Sequence, residues 1–152
     1  MMGTPLLHPQ ITAAMVAHAR FCDPEEACGL LAGEPGEPPR MVYSLTNADA
    51  STTAFTVDPD EHFAALRHAE RSGMELVGAF HSHPRSPAVP SRTDIARALE
   101  PDWLYVIVGL VDGAAPEIRA WRIRDGETNE VAATLPEAGG ALISKRAMEA
   151  GS

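Results

Sequence analysis

The sequence predicts a single α/β domain in which a mixed central sheet is flanked by helices. Three observations support this fold class. The chain has 152 residues, and at roughly 150 residues per domain this corresponds to one domain. Segments with apolar residues at helical spacing alternate with short, continuously apolar segments that are typical of buried strands. No internal repeat and no linker interrupts this alternation.

The composition is typical of a globular protein. Hydrophobic residues make up 45% of the chain and charged residues 22%, both ordinary values for a folded domain. No apolar run approaches the ~20 residues that span a membrane. Residues 1–7 lack a basic region followed by an apolar core. We therefore expect no signal peptide and a cytoplasmic location.

The charge and the cysteines exclude several classes of protein. Twelve basic and 21 acidic residues give a formal charge of −9, which argues against nucleic acid as a partner because phosphate binding needs a basic stripe. Cys22 and Cys28 are too few for a disulfide framework, and their spacing is not C-x-x-C. We interpret both as small residues in a reducing compartment.

The first 57 residues are predicted to begin with an amphipathic helix that Pro9 opens. Its buried face is formed by residues at helical spacing, namely Ile11, Ala14, Met15 and Ala19. A Gly/Pro-rich turn then separates two strands. The predicted elements are a helix over 9–21, a strand over 26–33, a turn over 34–39, a strand over 41–45, a loop over 47–53 and a short strand over 54–57.

The second helix has the clearest local signals. Asp58 is a good N-cap and Pro59 suits the first helical position. Glu61, three residues after Asp58, is predicted to complete a capping box. Gly73 is expected to end the helix. The predicted buried stripe consists of Phe63, Leu66 and Ala69.

The second half of the chain is predicted to complete the sheet. Asp125 and Gly126 form a hairpin-turn dipeptide, and Trp103 and Trp121 are predicted to pack in the core. The predicted elements are a buried strand over 74–81, a stiff loop over 84–90, a helix from Ser91 to about residue 99, a central strand over 103–109, and hairpin strands over 117–124 and 127–133. We assign residues 1–134 to the domain and residues 135–152 to a tail, either a short helix or disordered.

Two histidines at the end of a predicted strand suggest a metal site. His81 and His83 point to the same side of the strand because side chains alternate, and their Cα atoms are about 6.5 Å apart. Asp94 lies in the first turn of the next predicted helix, which can return its carboxylate to the strand end. Two histidines and one carboxylate are a typical ligand set for catalytic zinc, which leaves its fourth position to water.

Hydrolysis at such a site also needs a proton carrier and an oxyanion donor. Glu25 and Glu26 are the acidic pair that opens the first predicted strand, and either carboxylate suits the first role. The hydroxyl of Ser91, three residues before Asp94, is a candidate donor to the oxyanion.

Three separated motifs resemble the JAMM (MPN+) metalloproteases. They are E-A-C-G-L-L at residues 26–31, H-S-H-P at residues 81–84 and S-R-T-D at residues 91–94. The family pattern is a distant Glu, then H-x-H-P, six residues and S-x-x-D, and the chain fits it without a gap. The resemblance runs from about residue 8 to residue 133. Further similar positions are Thr46, Asn47, Ser51, Phe55, Asp58 and Pro59.

The resemblance implies a cytidine-deaminase-like α/β sandwich with one zinc ion. It makes His81, His83 and Asp94 the metal ligands, Glu26 the acid/base and Ser91 the oxyanion stabiliser. It implies hydrolysis after the C-terminal glycine of a ubiquitin-fold or sulfur-carrier protein with a Gly-Gly tail. The chain is most similar to the compact bacterial branch, which includes hydrolases that release cysteine from a CysO-type carrier.

Other interpretations of these residues stay open. An isolated H-x-H also suits polar residues at a strand end, and Glu26 also suits a solvated position. Ser91 and Asp94 match a capping box as well as a site; a carboxylate cannot easily serve both purposes, and we favour the metal for Asp94. Cys28 shares the strand parity of Glu26, but we interpret it as a small core residue.

Three other functions compete with the sulfur-carrier hydrolase. The first is broader removal of small ubiquitin-like modifiers from proteins. The second is an inactive MPN scaffold that binds partners, which the complete ligand set disfavours. The third is a nucleobase deaminase, which the absence of P-C-x-x-C argues against. We expect a monomer or a homodimer and neither nucleic acid nor membrane as a partner.

Overall fold

The computed structural model describes residues 7–132, which form three helices and six strands. Their bounds, in chain order, are α1 Pro9–Cys22, β1 Cys28–Gly33, β2 Met41–Leu45, α2 Pro59–Arg71, β3 Glu75–His83, α3 Arg92–Arg97, β4 Leu104–Gly109, β5 Glu117–Arg124 and β6 Glu127–Val131.

The strands form one mixed sheet in the order β2-β1-β3-β4-β5-β6. The central strands β3 and β4 run parallel, and α3 lies in the connection between them. All the other neighbouring strands are antiparallel. In the β1–β3 ladder Cys28 lies opposite His81. The start of β1 and the end of β3 therefore lie side by side at one end of these strands.

Helices cover both faces of the sheet, which confirms the predicted α/β sandwich. Val42 of β2 packs in the apolar cluster formed with α1, whereas its neighbours Met41 and Tyr43 pack with Ala69 of α2. Because successive strand side chains point to opposite faces, α1 and α2 lie on opposite sides. The main core lies under α1 and is lined by Ile11, Met15, Ala19, Leu31, Phe80, Leu104, Val106 and Val108.

The second helix differs from its prediction in its buried face and in its cap. Asp58 accepts hydrogen bonds from the backbone N–H groups of Asp60 and Glu61, as an N-cap should. The side chain of Glu61 does not close a capping box, because it binds Thr46 instead. Phe63 is 59% exposed and Ala65 is buried instead, whereas Ala69 is buried as predicted.

The reason for this difference is the close approach of α2 to the sheet. Alanines on the buried face let the helix backbone lie near the strands, and a phenylalanine there would hold the two apart. Phe63 therefore stays outside, where the guanidinium of Arg67 lies 5.6 Å from its ring centroid. Leu66 is half-buried.

The segment over 54–57, predicted as a short strand, makes only one bridge, between Val57 and Asn47. The Asn47 side chain explains this. Its amide N–H group donates to the Ala54 carbonyl and its oxygen accepts from the Thr56 N–H. These backbone groups are thus satisfied by a side chain instead of by a neighbouring strand.

Most element ends lie close to their predicted positions. Gly73 follows α2 with a φ of 75°, and Asp125 and Gly126 have φ values of 52° and 80°, the pattern of a type I′ hairpin turn. The third helix ends at Arg97, two residues before its predicted end. Trp121 is buried as predicted, whereas Trp103 is only half-buried.

The predicted tail over 135–152 lies outside the described residues. Within residues 7–132, none of the helices is long and apolar enough to cross a membrane.

Candidate metal centre

The end of β3 and the first turn of α3 bring His81, His83 and Asp94 together. The Nε2 atoms of the two histidines are 3.1 Å apart, and each lies 3.1 Å from Oδ2 of Asp94. Both histidines are buried. Within the described part of the chain, these three side chains form a group that could hold a metal ion.

The loop before α3 and the cap of that helix place Asp94. Ser91 Oγ accepts a hydrogen bond from the Asp94 N–H over 3.1 Å, and Asp94 Oδ2 accepts one from the Ser91 N–H over 2.9 Å. The capping box is therefore complete, and the same carboxylate oxygen also faces both histidines. Our expectation that Asp94 cannot easily serve both purposes is wrong, because a carboxylate oxygen has two lone pairs and can face the helix and the site together.

The electrostatics of the group favour an ionised Asp94. Burial alone would raise the pKa of this carboxyl, but hydrogen bonds from His81 and His83 outweigh burial and hold the pKa well below its ordinary value. Burial lowers the pKa of His81. Burial also disfavours the charged form of His83, yet its hydrogen bonds to Asp94 and Pro87 raise its pKa.

The group fits a divalent metal ion in its dimensions and its donor atoms. Ligand atoms bound to tetrahedral zinc at about 2.0–2.1 Å lie about 3.3 Å from one another, close to the 3.1 Å edges of this triangle. His83 Nδ1 lies 2.8 Å from the Pro87 carbonyl oxygen. Because a carbonyl can only accept, Nδ1 carries a proton. Nε2 would present its lone pair to a metal ion after losing the proton that it donates to Asp94.

Glu26 lies just before β1 and is buried beside this group. Glu26 is only 5% exposed. Burial raises the pKa of its carboxyl to about 7; the charge of His83 lowers this pKa and the charge of Asp94 raises it. The backbone of Glu26 is fixed on both sides: its N–H donates to Ser51 and its carbonyl accepts from Asn47. The predicted strand thus begins at Cys28 instead of Glu26, since the Glu26 N–H points to a loop.

Ser91 is exposed at the edge of the site. Its hydroxyl oxygen accepts from the Asp94 N–H, which leaves the hydroxyl proton able to donate to another group. Cys28 is buried, and burial raises the pKa of its thiol to about 12. A thiol that stays protonated is a poor metal ligand, in agreement with its interpretation as a core residue.

Two further residues shape the site in ways that the spacing of its motifs does not reveal. The ring of Phe55 stacks on His81 with centroids 4.5 Å apart. Ser82, between the histidines, points to the other face, where its hydroxyl accepts from the Ala27 N–H over 2.8 Å. This bond ties the segment that carries Glu26 to the strand that carries the histidines. The strand alternation of H-x-H could have indicated a buried Ser82, but not its partner.

The chain is similar to named relatives over most of its length. It is 40% identical over 126 residues to the CysO-cysteine peptidase of Mycobacterium tuberculosis, covering 82% of this chain and 86% of that protein. It is 38% identical over 114 residues to the probable TtuB-protein conjugate cleaving protease of Thermus thermophilus, covering 73% of this chain and 70% of that protein. The solution structure of protein DSY2949 from Desulfitobacterium hafniense matches with a TM-score of 0.79 and 34% identity, over 88% of this chain and 94% of that one.

The family comparison covers the three helices, five of the six strands and the whole candidate site. The family described as prokaryotic homologs of the JAB domain matches residues 8–124. The chain belongs to this family.

Proposed function

We propose that this JAB-family protein is a zinc-dependent peptidase that hydrolyses the bond after the C-terminal glycine of a ubiquitin-fold or sulfur-carrier protein. Release of cysteine from a CysO-type carrier is the reaction we favour. The observation that carries the proposal is the triangle of His81, His83 and Asp94 ligand atoms beside the buried carboxyl of Glu26. The M. tuberculosis relative, named a CysO-cysteine peptidase, supports the choice of substrate.

We also propose a catalytic domain, a location and a partner for the enzyme. Residues 1–134 would form the catalytic domain, acting in the cytoplasm on a partner with a Gly-Gly tail. Such a tail is flexible and narrow, so it suits extended binding across a site at the ends of β1 and β3.

His81, His83 and Asp94 would hold one zinc ion. Two imidazoles and one carboxylate are three protein ligands, the number typical of catalytic sites, whereas structural sites carry four. When bound, zinc acts as a Lewis acid that polarises a carbonyl and makes water more acidic.

Glu26 is suited to carry the proton between the two halves of the reaction. With a pKa of about 7, its carboxyl exists in both protonation states near neutral pH, which is the condition for efficient acid–base catalysis. In our proposal a carboxylate oxygen of Glu26 takes a proton from the attacking water. The same oxygen then delivers that proton to the departing amine.

Ser91 is proposed to stabilise the oxyanion of the tetrahedral intermediate. Its oxygen is oriented by the Asp94 N–H, and its free hydroxyl proton can be donated to a substrate oxygen. A donor that is already oriented costs no reorganisation during the reaction. Because Ser91 is exposed, a substrate can reach it.

The test measures zinc content and cleavage together in wild-type protein and in Glu26→Gln. The substrate is a sulfur-carrier protein with a C-terminal cysteine adduct, and Glu25→Gln, which changes the neighbouring exposed carboxylate, is the matched control. We expect one zinc per chain in all three proteins, with cleavage lost only in Glu26→Gln. Absence of zinc after reconstitution, or full activity in Glu26→Gln, contradicts the proposal.

A second candidate is removal of small ubiquitin-like modifiers from proteins. The similarity to a relative named as a probable TtuB-protein conjugate cleaving protease favours it. Offering the wild-type enzyme the same carrier as a cysteine adduct and as an isopeptide conjugate to lysine separates the two. Faster hydrolysis of the lysine conjugate would select the second candidate.

A further inference from the structure

We infer that Glu117 and Trp121 of β5 are positioning residues of the metal centre, acting through the loop over 84–90. The inference rests on the proposed metal site and adds residues that do not themselves touch it. Glu117 and Trp121 are four residues apart in one strand, so their side chains lie on the same face of the sheet.

Both residues bind the backbone of one loop residue, Ala88. The Ala88 N–H donates to Glu117 Oε1 over 3.2 Å. The Ala88 carbonyl accepts from the indole N–H of Trp121 over 3.1 Å. Ala88 is 0% exposed and Trp121 is 7% exposed, so water cannot readily replace the indole N–H, whereas Glu117 is exposed. A buried carbonyl left without its donor is costly.

The end of β4 completes this socket. A Cβ atom added at Gly109 would lie 3.3 Å from both Cβ and N of Ala88, tighter than ordinary van der Waals contact. The loop therefore packs directly against the β4 backbone. We call the group formed by Gly109, Glu117 and Trp121 the Ala88 socket.

A second layer holds the socket in place. The guanidinium of Arg119 lies 5.0 Å from the ring centroid of Trp121 and 3.8 Å from Glu117 Oε2. It also makes a two-pronged hydrogen bond to Glu130 of β6, at 2.8 and 2.7 Å. Paired bonds of this kind fix orientation as well as position.

The socket and the metal centre contact the same peptide unit, the one between Pro87 and Ala88. Pro87, directly before Ala88, offers the carbonyl that accepts from His83 Nδ1 over 2.8 Å. That bond sets the tautomer and the ring orientation of His83. Three residues after Ala88 the chain reaches Ser91, whose cap holds Asp94. Displacement of Ala88 would therefore disturb two of the three proposed ligands.

The experiment compares metal affinity across paired variants of the full chain. Trp121→Phe removes the indole N–H but keeps an aromatic ring, and Glu117→Ala removes the acceptor. The controls are Trp103→Phe, which changes a tryptophan at the other end of the sheet, and Glu127→Ala, which changes the same hairpin outside the socket and the Arg119–Glu130 pair. The readouts are the zinc dissociation constant by chelator competition and the visible absorption spectrum of the Co²⁺-loaded protein.

We expect zinc binding to weaken by about 10-fold in Trp121→Phe and Glu117→Ala. This is the lower end of the range of about 10- to 100-fold for direct partners of metal-bound histidines, because Trp121 and Glu117 act one step further out. The Co²⁺ spectrum should change in the same two variants, and both controls should match the wild type. Glu117→Gln should restore most of the affinity lost in Glu117→Ala, because its amide oxygen still accepts from Ala88.

Unchanged affinity and an unchanged Co²⁺ spectrum in folded Glu117→Ala would overturn the inference, as would equal losses in the controls. If Trp121→Phe does not fold, the variants of the exposed Glu117 still decide the question. Failure of the proposed function is recognised separately, since in that case the wild-type protein itself binds no zinc.

Discussion

The first turns of α2 and α3 have similar sequences, but their acidic side chains make different contacts. Each has a cap residue followed three positions later by an acid, Asp58 with Glu61 in α2 and Ser91 with Asp94 in α3. In α3 the acid closes the capping box and also faces two histidines. In α2 the acid binds Thr46, outside the helix, and does not contact the cap residue.

The difference arises from what the fold places in front of each helix. The Asp58 N–H already donates to the Thr46 carbonyl, so Glu61 finds no free donor there. Its carboxylate instead accepts from the Thr46 N–H at 2.6 Å and from the Thr46 hydroxyl at 2.9 Å. A capping pattern thus predicts a helix start well and predicts the partner of its acid poorly.

The arrangement at α3 also explains why one carboxylate can take two roles. A helix N-terminus favours negative charge, and hydrogen bonds from the histidines lower the pKa of Asp94 further. The cap and the proposed metal both stabilise the ionised form. They therefore reinforce one another instead of competing.

The largest expected effect is on zinc affinity, and it distinguishes Asp94 from Glu61. Asp94→Asn keeps an acceptor for the Ser91 N–H but removes the anionic ligand, so zinc affinity should fall by more than about 100-fold, beyond the effect of losing an outer partner. Cleavage should be lost with it. Glu61→Gln, the matched change in α2, should leave zinc content unchanged; a loss of zinc there, or zinc retained in Asp94→Asn, would break the comparison.

Removing the metal should destabilise the α3 end of the sheet. Free zinc at about 1,000 times its dissociation constant adds about 4 kcal/mol to the free energy of unfolding. Urea denaturation with zinc and with a chelator measures this increment. It should be present in the wild type and in Glu61→Gln and largely absent in Asp94→Asn. An equal increment in all three proteins would place the metal elsewhere.

The two cap residues should have similar effects on stability and different effects on catalysis. Ser91→Ala and Asp58→Ala each remove a side-chain cap, which should cost about 1 kcal/mol in thermal or urea denaturation. Only Ser91→Ala should lower kcat, by about 100-fold, as expected when an oxyanion donor is lost. Equal kcat values in the two variants would reduce Ser91 to a cap alone.

The smallest effect belongs to the Glu61 contact with Thr46. Because that contact is exposed, Glu61→Gln should change the free energy of unfolding by about 0.5 kcal/mol or less. A much larger loss in urea denaturation would mean that the link between α2 and the end of β2 is a major support of the fold.

Local patterns were sufficient for much of the fold. Strand β2 has the predicted bounds, the Asp125–Gly126 turn has the expected φ values, and α2 starts at its predicted cap. These features depend on backbone preferences of neighbouring residues, and short-range sequence carries that information. Phe63 was predicted to be buried and is exposed. Helical spacing identifies an apolar face of a helix but does not show which face packs against the sheet; in α2 it is the face with the small residues Ala65 and Ala69.

The candidate site divides in the same way. H-x-H and S-x-x-D place His81, His83, Ser91 and Asp94 near one another from strand alternation and a short loop alone, and the structure brings their side chains together. The position of Glu26 depends on contacts across the sheet, such as the bond between Ala27 and Ser82, 55 residues apart in sequence. Motif resemblance indicated Glu26 without giving that physical reason.

Short-range order therefore decides which residues of this chain can act, and long-range packing decides how they are held. The ligand types, their spacing and the helix caps follow from neighbours within a few positions. The partner of Glu61, the burial that raises the pKa of Glu26 to about 7 and the socket around Ala88 require strands far apart in sequence to meet. Burial and hydrogen-bond partners depend on all the groups that the fold brings to one place. A local sequence pattern does not show which distant residues those groups belong to.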